Sequence, residues 1–181
     1  MNPFAFLIDI LFQLYTTALM LRLILQWVRA DFYNPVSQFI VKITNPVVMP
    51  LRKIIPGLWG IDMATLLLVI VFTAAKLSLV YTLTGYAITP LLVTVSTLLE
   101  TVDLLLNVFL YAIIIQAILS WVNPDPYNPI VGLLNSLSWP VLKHFRKLVP
   151  PISGFDISPI FAIIAIMFVK QSIHYIIKMF L

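Results

Sequence analysis

At 181 residues, 61% of them apolar and only 10% charged, the chain has too little polar surface to coat a water-soluble globule, and its composition places it in a lipid bilayer. A net charge of +4, with no basic run longer than Arg52-Lys53, excludes nucleic acid as the expected partner. The absence of cysteine excludes disulfides, thiolate metal sites and cysteine nucleophiles, and says nothing of the redox compartment.

The first predicted element is an apolar run over residues 4–28, long enough for the ~20 residues that a spanning helix needs. No Lys or Arg precedes it and no small-residue cleavage site follows, so it is expected to stay in the protein as a span. The connector over residues 29–61 reads as two short amphipathic pieces. Asn34 is an N-cap with Pro35 at the first helical position, and Val36, Phe39, Ile40 and Ile43 then share one helical face. Eleven such residues rise only about 16 Å, too short to cross, so the piece is expected to lie in the interface plane. Past Pro46, the segment VVMPLRKIIP reads either as a second interfacial turn or as a shallow re-entrant segment. Residues 62–84 form the second span, and an uncharged connector follows over 85–96. The third span covers 98–122, the second connector 123–155 and the fourth span 156–178. In that second connector Ile130, Leu133, Leu134 and Leu137 repeat the apolar spacing, and VLKHFRKLVP follows Pro140.

The two connectors are copies. WVRADFYNPVSQFIVKITNPVVMPLRKIIPGLWGID (residues 27–62) aligns without a gap on WVNPDPYNPIVGLLNSLSWPVLKHFRKLVPPISGFD (residues 121–156), an offset of 94. The matched positions are Trp27 with Trp121, Asp31 with Asp125, Tyr33-Asn34-Pro35 with Tyr127-Asn128-Pro129, Arg52-Lys53 with Arg146-Lys147, Pro56 with Pro150 and Asp62 with Asp156. The offset also pairs Asp9 with Asp103, Lys76 with Lys170 and Tyr81 with Tyr175 inside the spans. The reading is a tandem duplication into units 1–87 and 88–181, each helix, connector, helix. An even number of spans per unit makes the repeat parallel and puts both connectors on one side. Arg29, Lys42, Arg52, Lys53, Lys143, Arg146 and Lys147 all lie in the connectors, so the positive-inside bias predicts cytoplasmic connectors and both termini outside. Trp27 and Trp121 fall at span ends, where an aromatic belt is expected.

Asp9, Lys76, Asp103 and Lys170 are ionisable groups within spans, costly unless paired or wet. Asp9 with Lys76, and Asp103 with Lys170, are expected to form interhelical salt bridges; the functional alternative is an ion or proton path. Asp62 and Asp156 are expected to cap the helices they open. Arg22, matched by Gln116, is expected to reach the interface or Asp62. His144 lies in a connector and His174 in the outer half of the last span, so two histidines of one chain are not expected to grip one haem, which leaves ligation by a single histidine or at a site between two chains. No Ser-His-Asp spacing, HExxH, phosphate loop or glycine fingerprint occurs, and the reading is non-enzymatic, with no catalytic, cofactor-binding or metal-binding residues.

The doubled W-x3-D-x-YNP element, the P-x5-RKhhP element (h apolar) and the G-x-D that opens the next span resemble the YggT family of bacterial inner-membrane proteins, related to the YlmG proteins and to plastid homologues. The likeness covers nearly the whole chain. It implies an all-α inner-membrane protein associated with osmotic stress tolerance and ion homeostasis, and, through the plastid relatives, with haem attachment in a b-type cytochrome or with division. The expected function is a non-enzymatic scaffold or assembly factor. The alternatives are a small oligomeric ion channel or transporter subunit, a haem-handling or cytochrome maturation factor, and a cell-division-associated membrane protein. Expected partners are the lipid bilayer, another membrane or cytoplasmic protein, and a second copy of the chain.

Overall fold

The computed structural model describes residues 2–122, 125, 128–149 and 156–180, with 121 and 176–180 by backbone alone. The described residues form six helices: α1 (Pro3–Trp27), α2 (Pro35–Arg52), α3 (Met63–Thr84), α4 (Pro90–Val122), α5 (Pro129–Leu148) and α6 (Ser158–Phe180). Four of them, α1, α3, α4 and α6, are long and apolar enough to cross a membrane. The protein is thus all-helical, with the character of a multi-pass membrane protein.

The chain forms two compact units, one of residues 1–27 and 39–105, the other of 28–38 and 106–181. In the first, α1 packs on α3. Small residues are buried on both helices, Ala5 and Thr16 on α1 and Ala64, Thr65 and Thr73 on α3, together with the larger Leu19, Met20 and Val69. Phe72 closes the seam against Tyr15 and Phe12, with ring centroids 5.1 and 6.0 Å away. Large apolar side chains on the other faces, such as Phe4, Leu11 and Leu14, stay exposed, as lipid-facing side chains do. The second unit packs α5 on α6 and buries Ile113, Leu137, Leu142 and Ala162.

Two elements differ from the sequence reading. Each connector carries one continuous helix instead of two short pieces: α2 runs through Pro46 and Pro50, and α5 through Pro140. An internal proline removes an amide donor and normally breaks a helix. In α2 both prolines and Lys42, whose carbonyl loses its donor to Pro46, are exposed, and the Arg22 guanidinium donates to the neighbouring Val41 carbonyl at 3.3 Å. The helix buries Ser37, Ile40, Thr44 and Val48, while Phe39 and Ile43 of the expected apolar face point outward. In α5, Leu133, Leu134 and Leu137 are buried and Ile130 is exposed.

The other difference is α4, which begins at Pro90, so the connector before it is 85–89 and not 85–96. Thr89 caps this start, accepting from Leu92 N at 3.2 Å through its hydroxyl and from Val93 N at 3.1 Å through its carbonyl, with Pro90 at the first position. At 33 residues α4 measures about 50 Å, well beyond the ~30 Å hydrocarbon core. Gly85, at φ 75°, ends α3 in a left-handed cap: its own amide meets the Thr82 carbonyl and Tyr86 N bonds Tyr81 O at 3.1 Å.

Candidate functional site

The first YNP element builds the start of α2. Asp31 turns the chain by accepting from Tyr33 N at 2.9 Å, and Asn34 Oδ1 then caps the helix by accepting from Val36 N at 2.9 Å. The second copy does the same for α5, where Asn128 Oδ1 accepts from Ile130 N at 2.9 Å and Asn128 N bonds the Asp125 carbonyl at 3.0 Å. Pro35 and Pro129 each take the first helical position, where no amide is needed. Within the second unit the two copies meet: Asn34, buried, donates from Nδ2 to the Pro129 carbonyl at 2.6 Å. Between them lies a cavity of about 450 Å³ bordered by Asp31, Tyr33, Asn34, Asn128, Pro129 and Ser136. Several of its polar groups serve the backbone: both Asn side-chain carbonyls cap, Asp31 Oδ1 holds Tyr33 N, and Ser136 donates to the Gly132 carbonyl. The arrangement is a clasp between helix starts. Tyr33 is exposed, as is Trp27 at the end of α1. Tyr127, Pro150 and the Trp121 side chain lie outside the described residues.

The Arg-Lys elements divide their labour. Arg52 donates from Nε to Asp62 Oδ2 at 2.9 Å, and its Nη2 lies 2.6 Å from the same oxygen and 2.7 Å from Gln26 Oε1. Asp62, buried, caps α3 by accepting from Thr65 N at 3.4 Å and from the Thr65 hydroxyl. Burial pushes its carboxyl up, but the Arg52 and Thr65 hydrogen bonds and the Arg52 charge outweigh that and hold it below the usual carboxylate value. The second copy matches: Arg146 Nε donates to Asp156 Oδ2 at 2.8 Å, Asp156 Oδ1 accepts from Ser158 N at 2.9 Å, and the Arg146 guanidinium sits 5.9 Å from the Trp139 ring centroid. Burial raises the Asp156 carboxyl, and the Ser158 and Arg146 bonds overcome it, again lowering the value. Lys53, Lys147 and Pro56 are exposed. The arginines therefore lock connector to span, while the lysines beside them are left exposed. Arg22, buried, misses hydrogen-bond contact with Asp62; it donates to Thr44 Oγ1 at 2.7 Å and Asn45 Oδ1 at 2.8 Å, tying α1 to α2.

Inside the first unit Lys76, 3% exposed, collects a polar cluster. Its Nζ lies 3.3 Å from Asp9 Oδ1, the pair expected from sequence, and donates to Gln13 Oε1 at 2.9 Å and to Glu100 Oε1. Glu100 and Gln13 were not singled out by sequence. The surplus of carboxylates over lysines among the spans was a signal for the first, and the offset of 94, which turns Gln13 into Asn107, was a signal for the second. Lys170 donates to Asn107 Oδ1 in the second unit, repeating the Lys76–Gln13 contact. Asp103 lies on α4 one turn before Asn107. His144 and His174 are exposed, each with Nδ1 2.9 Å from the carbonyl four residues back on its own helix. Among the described residues, no three His, Asp or Glu side chains gather closely enough to share a metal ion.

The family model described as CCB3/YggT matches residues 1–83 and again residues 95–177. The chain belongs to the CCB3/YggT family. It is 45% identical over 163 residues to an uncharacterized protein of Pseudomonas aeruginosa, covering 89% of this chain and 83% of that one. It is 34% identical over 173 residues to the uncharacterized protein YggT of Escherichia coli K12, covering 96% and 90%. A shorter likeness, 34% over 61 residues, joins 34% of the chain to 24% of the chloroplastic YlmG homolog protein 2 of Arabidopsis thaliana. No solved structure matches.

Proposed function

We propose that this YggT-type protein is a non-enzymatic scaffold or assembly factor of the bacterial inner membrane, built as two tandem parallel repeats with both connectors at the cytoplasmic face and both termini outside. The reading includes a role in osmotic tolerance and ion homeostasis, exercised through a membrane or cytoplasmic protein that docks on the connectors. The observation that carries it is the division within the Arg-Lys elements: each arginine is spent on an aspartate at a span entrance, and each lysine is left exposed on a connector held rigid by that pair. A connector end pinned by such a pair and presenting a charge suits recognition of a partner. The twofold match to the family model supports the repeat.

The test is rescue of a deletion strain under osmotic shock beside ion flux in liposomes. Lys53→Gln with Lys147→Gln is expected to insert normally and lose rescue, and the parent is expected not to conduct. The cluster around Lys76 favours a second reading, an ion path. Selective flux from the parent that disappears on neutralising Asp9, Lys76 or Glu100 without unfolding would replace the scaffold with that reading. Orientation is tested with single cysteines: Gln38→Cys and Lys143→Cys are expected to be protected from an impermeant thiol reagent in intact cells, and Thr89→Cys to react, all three positions being exposed.

A further inference from the structure

Between α2 and α3 the chain makes a two-residue turn. Leu58 N bonds the Ile61 carbonyl at 3.1 Å and Ile61 N bonds the Leu58 carbonyl at 2.9 Å, leaving Trp59 and Gly60 at the tip. Both tip residues have positive φ, 51° and 80°. That is the pattern of a type I′ turn, whose first central position ordinarily takes Asn, Asp or Gly. Glycine at 60 is explained by its backbone. Tryptophan at 59 is not: a bulky side chain in the left-handed region is strained, and such strain persists where it serves a use. The ring gains nothing from the fold in return, since Trp59 is 99% exposed, and its apolar neighbours Ile54 and Leu58 are exposed with it.

We propose that Trp59 is a membrane-surface anchor, its indole seated in the interfacial layer of the bilayer with Ile54 and Leu58 beside it. Three observations choose lipid over a protein occupant. The turn lies four residues before Met63, the first residue of an apolar helix long enough to span, so the chain itself delivers it to the bilayer surface. Indole, apolar on its faces with one N–H donor, suits the boundary between acyl chains and headgroups. Lys53, exposed at the other end of the segment, complements an anionic headgroup. The hairpin is held from behind by the Asp62 cap and its Arg52 pair, and a Cβ on Gly57 would stand 3.2 Å from the Ile61 carbonyl, so the segment closes tightly and the ring is presented outward. The inference rests on α3 crossing a bilayer; of the residues in the scaffold reading it shares only Lys53, which its tests leave unchanged.

The test uses the full chain in phosphatidylethanolamine–phosphatidylglycerol vesicles. In a protein whose other tryptophans are replaced (Trp27→Phe, Trp121→Phe, Trp139→Phe), Trp59 fluorescence is expected to fall by about half with lipids brominated near the carbonyl end of the chain, and less with bromine near the methyl end. Emission at the water-exposed maximum with no bromine quenching would overturn the proposal. Shielding from aqueous acrylamide without bromine quenching would also overturn it, in favour of a protein occupant or a second copy. Because the chain has no cysteine, spin labels at Leu58→Cys and at Val71→Cys, an exposed α3 position, give a second readout without background. Oxygen-accessible Val71 beside a water-accessible Leu58 would sink the anchor and leave the span intact. A water-accessible Val71 would sink the span instead, and the anchor with it. Finally, Trp59→Gly removes the ring and suits the turn. Its melting temperature in detergent is expected to hold within about 2 °C or rise, and a fall of more than about 5 °C would make the ring structural.

Discussion

Replacing Lys76 by Met is the sharpest perturbation of the intramembrane cluster, because one cation there serves two carboxylates and an amide. The ammonium is 4% exposed at the side chain, whereas Asp9 is 47% and Glu100 27% exposed. Removing one partner of a fully buried pair costs about 3–5 kcal/mol. Here the two orphaned carboxylates keep part of their solvation, so the expected loss is roughly 2–3 kcal/mol. The two pairs should not share it equally. Glu100, the less exposed, should couple to Lys76 by about 1–2 kcal/mol in a double-mutant cycle, and half-exposed Asp9 by less than about 1 kcal/mol. Adding Asp9→Leu to Lys76→Met should therefore restore little, and adding Glu100→Leu should restore more. Equilibrium unfolding in mixed micelles, followed by helical circular dichroism, measures each corner. A coupling to Asp9 equal to or larger than that to Glu100 would refute the exposure argument.

Arg52→Gln should cost about 1–2 kcal/mol by stranding buried Asp62, while Lys53→Gln stays within about 0.5 kcal/mol, both by the same unfolding assay. The Asp62 carboxyl titrates below its unfolded value, so its contribution is fully present above the unfolded pKa near 3.9 and is lost as pH falls from there through the lower folded value; melting temperatures taken from pH 6 to 2.5 should drop less in Asp62→Asn than in the parent. Asn34→Ser retains a helix cap and removes the donor to the Pro129 carbonyl, so it isolates the clasp: it should cost about 1 kcal/mol, and Asn34→Ala about 2 kcal/mol, in denaturant titrations.

The sequence by itself determined the four long apolar helices, because a bilayer demands both length and composition and leaves them visible in a one-dimensional string. It also determined the local chemistry of the first motif: Asn34 as a cap, Pro35 at the first position and Asp62 at the start of a span all follow from what neighbouring backbone amides need. The pair of Asp9 with Lys76 was legible because charges within spans have few places to go. What the tertiary structure alone decided concerns partners supplied from distant chain. Glu100 competes with Asp9 for Lys76 from a third helix, and no spacing encodes that choice. Whether Pro46 breaks α2 depended on where the helix lies: the Lys42 carbonyl it frees is on an exposed residue, and Arg22 from α1 ties down the adjacent turn at the Val41 carbonyl. The Arg-Lys dipeptide looks like one charged unit in sequence, yet α2 ends at Arg52 and Lys53 lies in the turn that follows. One therefore turns to Asp62 and the other to the outside, and only the placement of the aspartate settles which.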